Sequence, residues 1–185
     1  QRATDRTTTL VRNDAGLLPL APDARNVLVT GWGVTTTATI ATEVGKRGAS
    51  TTVQETGLSP NQARIDQAVA AARNSDLVVA VTNRAWDIQE GSPHNGPGQM
   101  NLVKALAATG KPVVVIAARD PYDIAYFTEV PTYVATYSYT AEALRSVVKV
   151  LFGEIEPRGR LPVTIPVQDQ SATLYPFGHG LGYSG

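Results

Sequence analysis

The sequence predicts an α/β fold, a doubly wound and mostly parallel sheet with helices on both faces. Short β-branched runs bounded by turn residues recur along the chain, and those at 77–81 and 113–117 are apolar throughout. Such strands lie at the centre of a parallel sheet, where helices cover both sides. Between the runs, Ile65, Ala68 and Ala72 place apolar side chains on one helical stripe. Alternating strands and helices joined by short links imply right-handed crossovers in a single sheet.

Residue types that favour strands, turns and helix ends predict the bounds of the individual elements. Five parallel strands are predicted at 26–30, 50–54, 76–82, 112–118 and 131–137. The helix after the second strand is expected to start at Ser59-Pro60, because proline is favoured at the first helical position. Gly110 is expected to end the helix that begins near Gly98, and Thr140 to cap the helix that reaches Phe152.

The sequence indicates one domain in three parts. An N-terminal arm at 1–25, expected to contain a short hairpin, leads into the βα repeats at 26–152, and an edge strand and tail follow at 153–185. Segment Leu161–Ile165 is expected to form the sixth strand, antiparallel and at the edge, where proline is tolerated. The polar start of the arm is typical of a chain that continues from an upstream domain. The expected sheet therefore has about six strands, with the last one antiparallel.

Charge and composition exclude several function classes. The 16 basic and 16 acidic residues balance, so no net field favours nucleic acid or an anionic membrane surface. No run approaches the roughly 18 apolar residues that a bilayer span requires. Cysteine is absent, which removes disulfides and thiolate chemistry and fits either a reducing or an oxidising compartment.

Ligands of a doubly wound sheet bind outside the carboxyl ends of its strands, near the point where strand order reverses. Gly31-Trp32-Gly33 follows the first parallel strand at this edge. A dinucleotide fingerprint requires a third glycine three residues on, where Thr36 stands. A tight turn with positive φ at both glycines is the simpler interpretation, and a nucleotide-binding flavodoxin-like domain is an alternative.

The long loop at 84–98 is the main candidate for function, because it is longer than most βα links and rich in polar and aromatic side chains. A carboxylate beside an aromatic ring suits an acid/base role in glycoside cleavage, which makes Glu90 a candidate, although a solvated loop carboxylate is the commoner case. The candidate substrate-binding residues on this loop and the one after the fourth strand are Trp86, Asp87, His94, Asn95, Arg119 and Asp120.

Metal and cofactor chemistry have no support in the sequence. His94 and His179 are the two histidines, and no acidic residues stand at ligand spacing beside them. His179 lies in a glycine-rich tail, which favours a structural hydrogen bond. No Gly-x-Ser-x-Gly turn is present for a hydrolase triad. We therefore predict no metal and no cofactor.

Two blocks near the end of the chain carry a family resemblance. Residues 151–166 read L-F-G-E-I-E-P-R-G-R-L-P-V-T-I-P, and residues 175–183 read Y-P-F-G-H-G-L-G-Y. Both closely resemble the tail of glycoside hydrolase family three, and residues 11–20 resemble the start of the second domain of that family. The resemblance implies an α/β sandwich domain that packs on an upstream (β/α)8 barrel, absent from this chain, which carries the aspartate nucleophile.

Two branches of that family assign different roles to this domain. In β-glucosidase-like members a Glu in an E-G-x-D-R context acts as acid/base, and Glu90-Gly91 keeps its first two residues before Ser92-Pro93-His94 departs from it. Members that resemble β-N-acetylglucosaminidases carry an Asp-His pair on the barrel, and segments 119–123 and 135–139 look like that branch. The resemblance thus implies an accessory domain of a retaining exo-β-N-acetylglucosaminidase whose partners are the barrel and a carbohydrate, and a secreted or cell-envelope parent is compatible with it. A β-glucosidase-like domain and a free-standing sugar-binding module are the alternatives.

Overall fold

A computed structural model of the chain describes residues 7–91 and 96–183. The strands are β1 (Thr9–Asn13), β2 (Asn26–Gly31), β3 (Ser50–Glu55), β4 (Leu77–Thr82), β5 (Val113–Ala117), β6 (Thr132–Ala135), β7 (Ile165–Pro166) and β8 (Thr173–Tyr175). The helices are α1 (Val34–Gly45), α2 (Gln62–Arg73), α3 (Gly98–Ala107), a 3-10 helix (Pro121–Tyr126) and α4 (Ala141–Leu151).

The main sheet confirms the predicted α/β class. Its six strands lie in the order β1-β6-β5-β4-β2-β3, and every neighbouring pair is parallel except β1 with β6. The chain leaves β2 toward β3 on one side and returns to β4 on the other, so strand order reverses between β2 and β4. Ligand sites of such sheets lie at the carboxyl ends of the strands beside this reversal.

Two apolar cores sandwich the sheet, because successive side chains of a strand point to opposite faces. Val78 of β4 packs in the core that α2 and α3 cover, together with Leu102. Val79 packs in the opposite core with Ile40 of α1 and Leu144 of α4. Strand β4 is buried along its whole length, which explains why its sequence is continuously apolar.

The antiparallel edge strand is not the one that the sequence predicted. Strand β1 pairs with β6 at that edge, whereas Leu161–Ile165 contributes only its last residue to a separate two-stranded ribbon of β7 and β8. Leu161 exchanges backbone hydrogen bonds with the glycine-rich tail instead, and Pro162 has no N–H to give to a ladder. The expected hairpin in the N-terminal arm is also wrong, because β1 is the arm's one strand among its described residues.

The tail closes the outer edge of β1. Leu181 donates a backbone hydrogen bond to Leu10 at 2.8 Å in an antiparallel bridge, and His179 Nε2 bonds the Val11 carbonyl at 2.8 Å. The His179 ring stacks on Tyr175 with centroids 4.6 Å apart. The structural hydrogen bond expected of His179 is therefore present, and it covers an edge that would otherwise expose unpaired backbone groups.

Helix boundaries follow capping chemistry more closely than composition. Asn61, not Ser59-Pro60, caps α2, since its side chain accepts from the Arg64 amide at 3.0 Å. Thr140 caps α4 as expected, through the Ala143 amide at 3.2 Å. Gly110 stands just beyond α3 with φ at +79°, a conformation in which glycine ends helices at little cost.

Removing the cap of α4 should cost measurable stability. We expect Thr140→Ala to lower the free energy of unfolding of the chain by about 1 kcal/mol, because the Ala143 amide loses its acceptor. Thr35→Ala is the matched control, since Thr35 is exposed in the first turn of α1, and it should change stability by less than about 0.5 kcal/mol. Urea unfolding of both variants measures the difference, and equal losses would show that the cap contributes nothing.

Candidate functional site

The loops at the carboxyl ends of β2, β4, β5 and β6 form the candidate site. They follow four neighbouring strands of the sheet, and they flank the reversal of strand order where α/β sheets bind ligands. No helix among residues 7–91 and 96–183 is long and apolar enough to cross a bilayer. Within the same residues no group of His, Asp and Glu could hold a metal ion.

The Gly31-Trp32-Gly33 segment forms the tight turn with positive φ at both glycines that the sequence predicted. Gly31 and Gly33 have φ values of +98° and +101°. The Gly33 amide donates to the Glu55 carboxylate at 3.0 Å, so a side chain of the neighbouring strand satisfies it. Trp32 meets Tyr139 edge-on, with ring centroids 4.9 Å apart, which joins the loops after β2 and β6.

Contacts from three residues hold Trp86 in the long loop. Its indole N–H donates to Asp120 Oδ2 at 3.0 Å, and its backbone amide donates to Asp123 Oδ1 at 3.2 Å. The Arg84 guanidinium lies over its ring, 5.2 Å from the centroid. Trp86 and Asp120, predicted separately as site residues, are thus brought together by the loops after β4 and β5.

Asp123 is the residue that sequence reasoning did not single out. It is fully buried, and its carboxylate accepts from the Thr82 hydroxyl at 2.7 Å as well as from the Trp86 amide. Burial is the main cause that raises the pKa of Asp123 from 3.8 to about 7, and these hydrogen bonds oppose it. Nearby Tyr133, also buried, donates to the Pro121 carbonyl at 2.8 Å and fixes the start of the 3-10 helix.

Gln99 fixes the beginning of the long loop. Its Oε1 accepts from the Asn83 amide at 2.8 Å, while its Nε2 donates to the carbonyls of Asn83 and Leu58 at 2.8 and 3.0 Å. The side chain is buried at the start of α3. This buried amide ties the two ends of the loop together.

Of the remaining predicted site residues, Asp87 reaches this cluster through Arg84. Asp87 lies 3.5 Å from the Arg84 guanidinium in an ion pair. Arg119 and Glu90 are exposed, and neither forms an ion pair with a charged partner in the described part of the chain. His94 and Asn95 lie outside the described residues.

A pocket of about 240 Å³ opens beside Trp86. Trp86 lines one side of the pocket, and two tyrosines of the 3-10 helix, Tyr122 and Tyr126, line a second side. The segment around β7 lines a third side. The other lining residues are Ala125, Pro166, Val167 and Gln170. The pocket is therefore aromatic on two sides and lies directly next to the Trp86, Asp120 and Asp123 cluster.

Comparison with known proteins gives a consistent family match. The family model for the glycosyl hydrolase family 3 C-terminal domain matches residues 8–183. A lysosomal beta glucosidase of Dictyostelium discoideum is 28% identical, with 95% of this chain and 28% of that protein covered. Other curated relatives are named as beta-glucosidases and beta-xylosidases. The chain spans less than a third of the length of the first two of these proteins.

Solved structures show the same fold. The family 3 beta-N-acetylglucosaminidase of a Paenibacillus species superposes with a TM-score of 0.73 at 24% identity, covering 85% of this chain and 30% of that one. A fungal multi-domain family 3 beta-N-acetylglucosaminidase superposes with a TM-score of 0.71 at 26% identity, covering 95% and 19%. In both comparisons the matched region is a minor part of a longer enzyme.

Proposed function

The chain belongs to glycoside hydrolase family 3, as its C-terminal domain, and we propose that it is the non-catalytic domain of a retaining exo-β-N-acetylglucosaminidase. It packs on a (β/α)8 barrel of the same polypeptide and contributes a rim to the sugar pocket. The barrel supplies the aspartate nucleophile and the Asp-His pair. Both chemical roles of a retaining glycosidase then lie outside this chain.

Glu90 carries this proposal. It is the loop carboxylate that a catalytic role would require, yet it is exposed and the described residues offer it no ion pair. A general acid must be held within hydrogen-bond reach of the leaving-group oxygen. Among the described residues, no ion pair holds the Glu90 side chain in place for that task. Two carboxylates that lie beside this loop, Asp120 and Asp123, accept hydrogen bonds from Trp86 instead.

The segments that resemble the β-N-acetylglucosaminidase branch support the same assignment. In segment 119–123 the two aspartates anchor Trp86, and in segment 135–139 the Tyr137 hydroxyl lies 2.8 Å from Thr9 Oγ1. These residues build the domain and leave no acid free for catalysis in the two segments. The 26% identity to a fungal beta-N-acetylglucosaminidase over 95% of the chain agrees with this branch.

A β-glucosidase-like domain that supplies the acid/base Glu is the second candidate. The curated relatives favour it, because they are named as beta-glucosidases and beta-xylosidases, and one of them covers 95% of this chain. Glu90-Gly91 matches the first two residues of the acid/base motif of that branch. The two candidates differ in whether Glu90 takes part in the reaction.

Substitution of Glu90 in the full-length parent enzyme decides between them. We expect Glu90→Ala to leave kcat on an aryl β-N-acetylglucosaminide within about twofold of the wild-type value, because the acid/base lies on the barrel. Loss of a general acid costs about 10²–10⁴-fold in rate. Steady-state assays on the aryl β-N-acetylglucosaminide and on the matching aryl β-glucoside measure both activity and specificity.

Gln89→Ala is the matched control, since Gln89 is an exposed neighbour on the same loop. A fall of a hundredfold or more for Glu90→Ala alone, with recovery in azide, would assign the acid/base role to Glu90. Stronger hydrolysis of the β-glucoside in the wild-type enzyme would likewise favour the β-glucosidase-like candidate. Equal activity of both variants on the β-N-acetylglucosaminide supports the non-catalytic domain.

A further inference from the structure

The pocket beside Trp86 has the lining of a small-molecule site. Trp86, Tyr122 and Tyr126 contribute three aromatic rings around a volume of about 240 Å³. Pockets for drug-sized ligands enclose roughly 300–1,000 Å³ and combine aromatic walls with a few polar groups. A space slightly below that range suits a ligand of a single ring.

Polar groups at the pocket are available to a ligand. No other described residue forms a hydrogen bond with the side chains of Tyr122, Tyr126 or Gln170 that line it. Two phenolic hydroxyls and one amide offer donors and acceptors together. A bound molecule therefore needs an apolar surface for the rings and hydroxyl or amide groups around its edge.

Three neighbouring residues hold Trp86 in place. Asp120 holds its indole N–H, Asp123 holds its backbone amide, and the Arg84 guanidinium lies over the ring. Arg84 itself has a φ of +55°, a left-handed conformation that costs a non-glycine residue about 1–3 kcal/mol and clusters at binding sites. A ring fixed in this way before a ligand arrives loses little freedom on binding.

We propose that the pocket bounded by Trp86, Tyr122 and Tyr126 is a saccharide subsite for one pyranose ring with equatorial hydroxyls. Such a ring turns its axial C–H bonds toward its two faces, and these apolar faces pack on the electron-rich faces of aromatic side chains. Its equatorial hydroxyls point outward, toward groups such as the Tyr126 hydroxyl and the Gln170 amide. This subsite deepens the proposed function, on which it rests, by assigning a sugar contact to residues of this domain alone.

The two tryptophans of the chain make the test direct. In the Trp32→Phe variant Trp86 is the sole tryptophan, and its fluorescence reports the pocket. We expect N-acetylglucosamine and methyl β-glucoside to change that fluorescence in a saturable way, with half-saturation in the millimolar range that suits a single ring. Sorbitol, an open-chain polyol without a ring face, should produce no saturable change.

Two tyrosine variants in the Trp32→Phe background identify the pocket. Tyr126→Ala should raise the half-saturating concentration about tenfold, because it removes one aromatic wall. Tyr139→Ala is the matched control, since Tyr139 is exposed, lines no part of the pocket and packs on position 32. Circular dichroism checks that each variant is folded, and Gln170→Ala replaces Tyr126→Ala if the latter does not fold. Calorimetric titration of the unsubstituted chain with the same sugars needs no variant at all.

The proposal fails if neither sugar gives a saturable signal, if sorbitol gives the same one, or if the pocket variant binds as tightly as its parent. Such a failure leaves the assignment of Glu90 untouched, because that assignment is read from turnover by the full-length enzyme. Conversely, a catalytic Glu90 would overturn the proposed function while sugar binding at Trp86 could still be measured. Each of the two proposals can therefore be refuted without refuting the other.

Discussion

Replacing Gly31 by alanine is expected to lower the free energy of unfolding of the chain by about 4 kcal/mol, from backbone strain and overpacking together. Gly31 ends β2 with φ at +98°, and a Cβ there would stand 2.2 Å from the Val81 carbonyl oxygen. That oxygen accepts the Trp32 amide, so it cannot move without breaking the contact between β2 and β4. Urea unfolding monitored by circular dichroism measures the loss.

Gly110→Ala separates the two causes. Gly110 has a similar positive φ of +79°, but no atom lies within 4 Å of the Cβ that alanine would add. The left-handed conformation alone costs about 1–2 kcal/mol, so this variant should lose that much and no more. Equal losses at the two positions would show that the close approach of β2 to β4 adds nothing to the requirement for glycine.

The central strands could be predicted from the sequence because burial on both faces leaves an unbroken apolar run. Strand β4 was expected at 76–82 and lies at Leu77–Thr82, and β5 was expected at 112–118 and lies at Val113–Ala117. Parallel strands under two helical layers have no solvent face on which a polar residue could stand. The unbroken apolar run is therefore sufficient to locate these two strands.

The edge strand could not be predicted in the same way. Thr9–Asn13 and Leu161–Ile165 are both short, partly apolar segments that could pair with β6, and local pattern does not distinguish them. The choice depends on the tail, which turns back so that Gly159 donates to the Thr8 carbonyl and Leu181 to the Leu10 carbonyl. These contacts join residues about 150 positions or more apart, and only the folded arrangement brings them together.

The candidate site, too, could be predicted from the sequence only in part. Composition of the long loop pointed to Trp86, and the loop after β5 pointed to Asp120, but their hydrogen bond depends on strand order. Asp123 was missed because an aspartate in a polar, proline-containing loop is usually a solvated turn residue. One signal could have found it: Thr82 ends an otherwise apolar strand, and a buried hydroxyl there needs a partner from a neighbouring loop.

Because Asp123 is buried, its contribution to the stability of the chain should fall as pH rises from about 4 to about 7. In the unfolded chain this carboxyl loses its proton near its ordinary pKa of 3.8, whereas burial raises the pKa of Asp123 in the folded chain to about 7. Between these values the folded state holds a proton that the unfolded state has released. Protonation therefore favours the folded state below this range, and the advantage disappears as pH passes through the folded-state pKa.

The size of this effect follows from the same two pKa values. Each pH unit over which only the folded state holds the proton is worth about 1.4 kcal/mol, so the full range from 3.8 to about 7 amounts to about 4 kcal/mol. Other carboxyls act in the opposite direction, since hydrogen bonds from Arg47 and Ser171 lower the pKa values of Glu154 and Asp169. The contribution of Asp123 must therefore be measured as a difference between variants.

Asp123→Asn gives that difference, because the amide has nearly the shape of the protonated carboxyl and never ionises. Its Oδ1 can still accept from the Trp86 amide, and its Nδ2 can donate to the Thr82 hydroxyl oxygen. We expect the variant to match the wild-type chain at pH 4 and to exceed its stability progressively toward pH 8. Asp66→Asn removes an exposed carboxylate of α2 and should leave the pH profile unchanged. If urea unfolding between pH 4 and pH 8 gives parallel curves for Asp123→Asn and the wild-type chain, then Asp123 is charged in the folded state throughout, and its hydrogen bonds from Thr82 and Trp86 outweigh the cost of burying that charge.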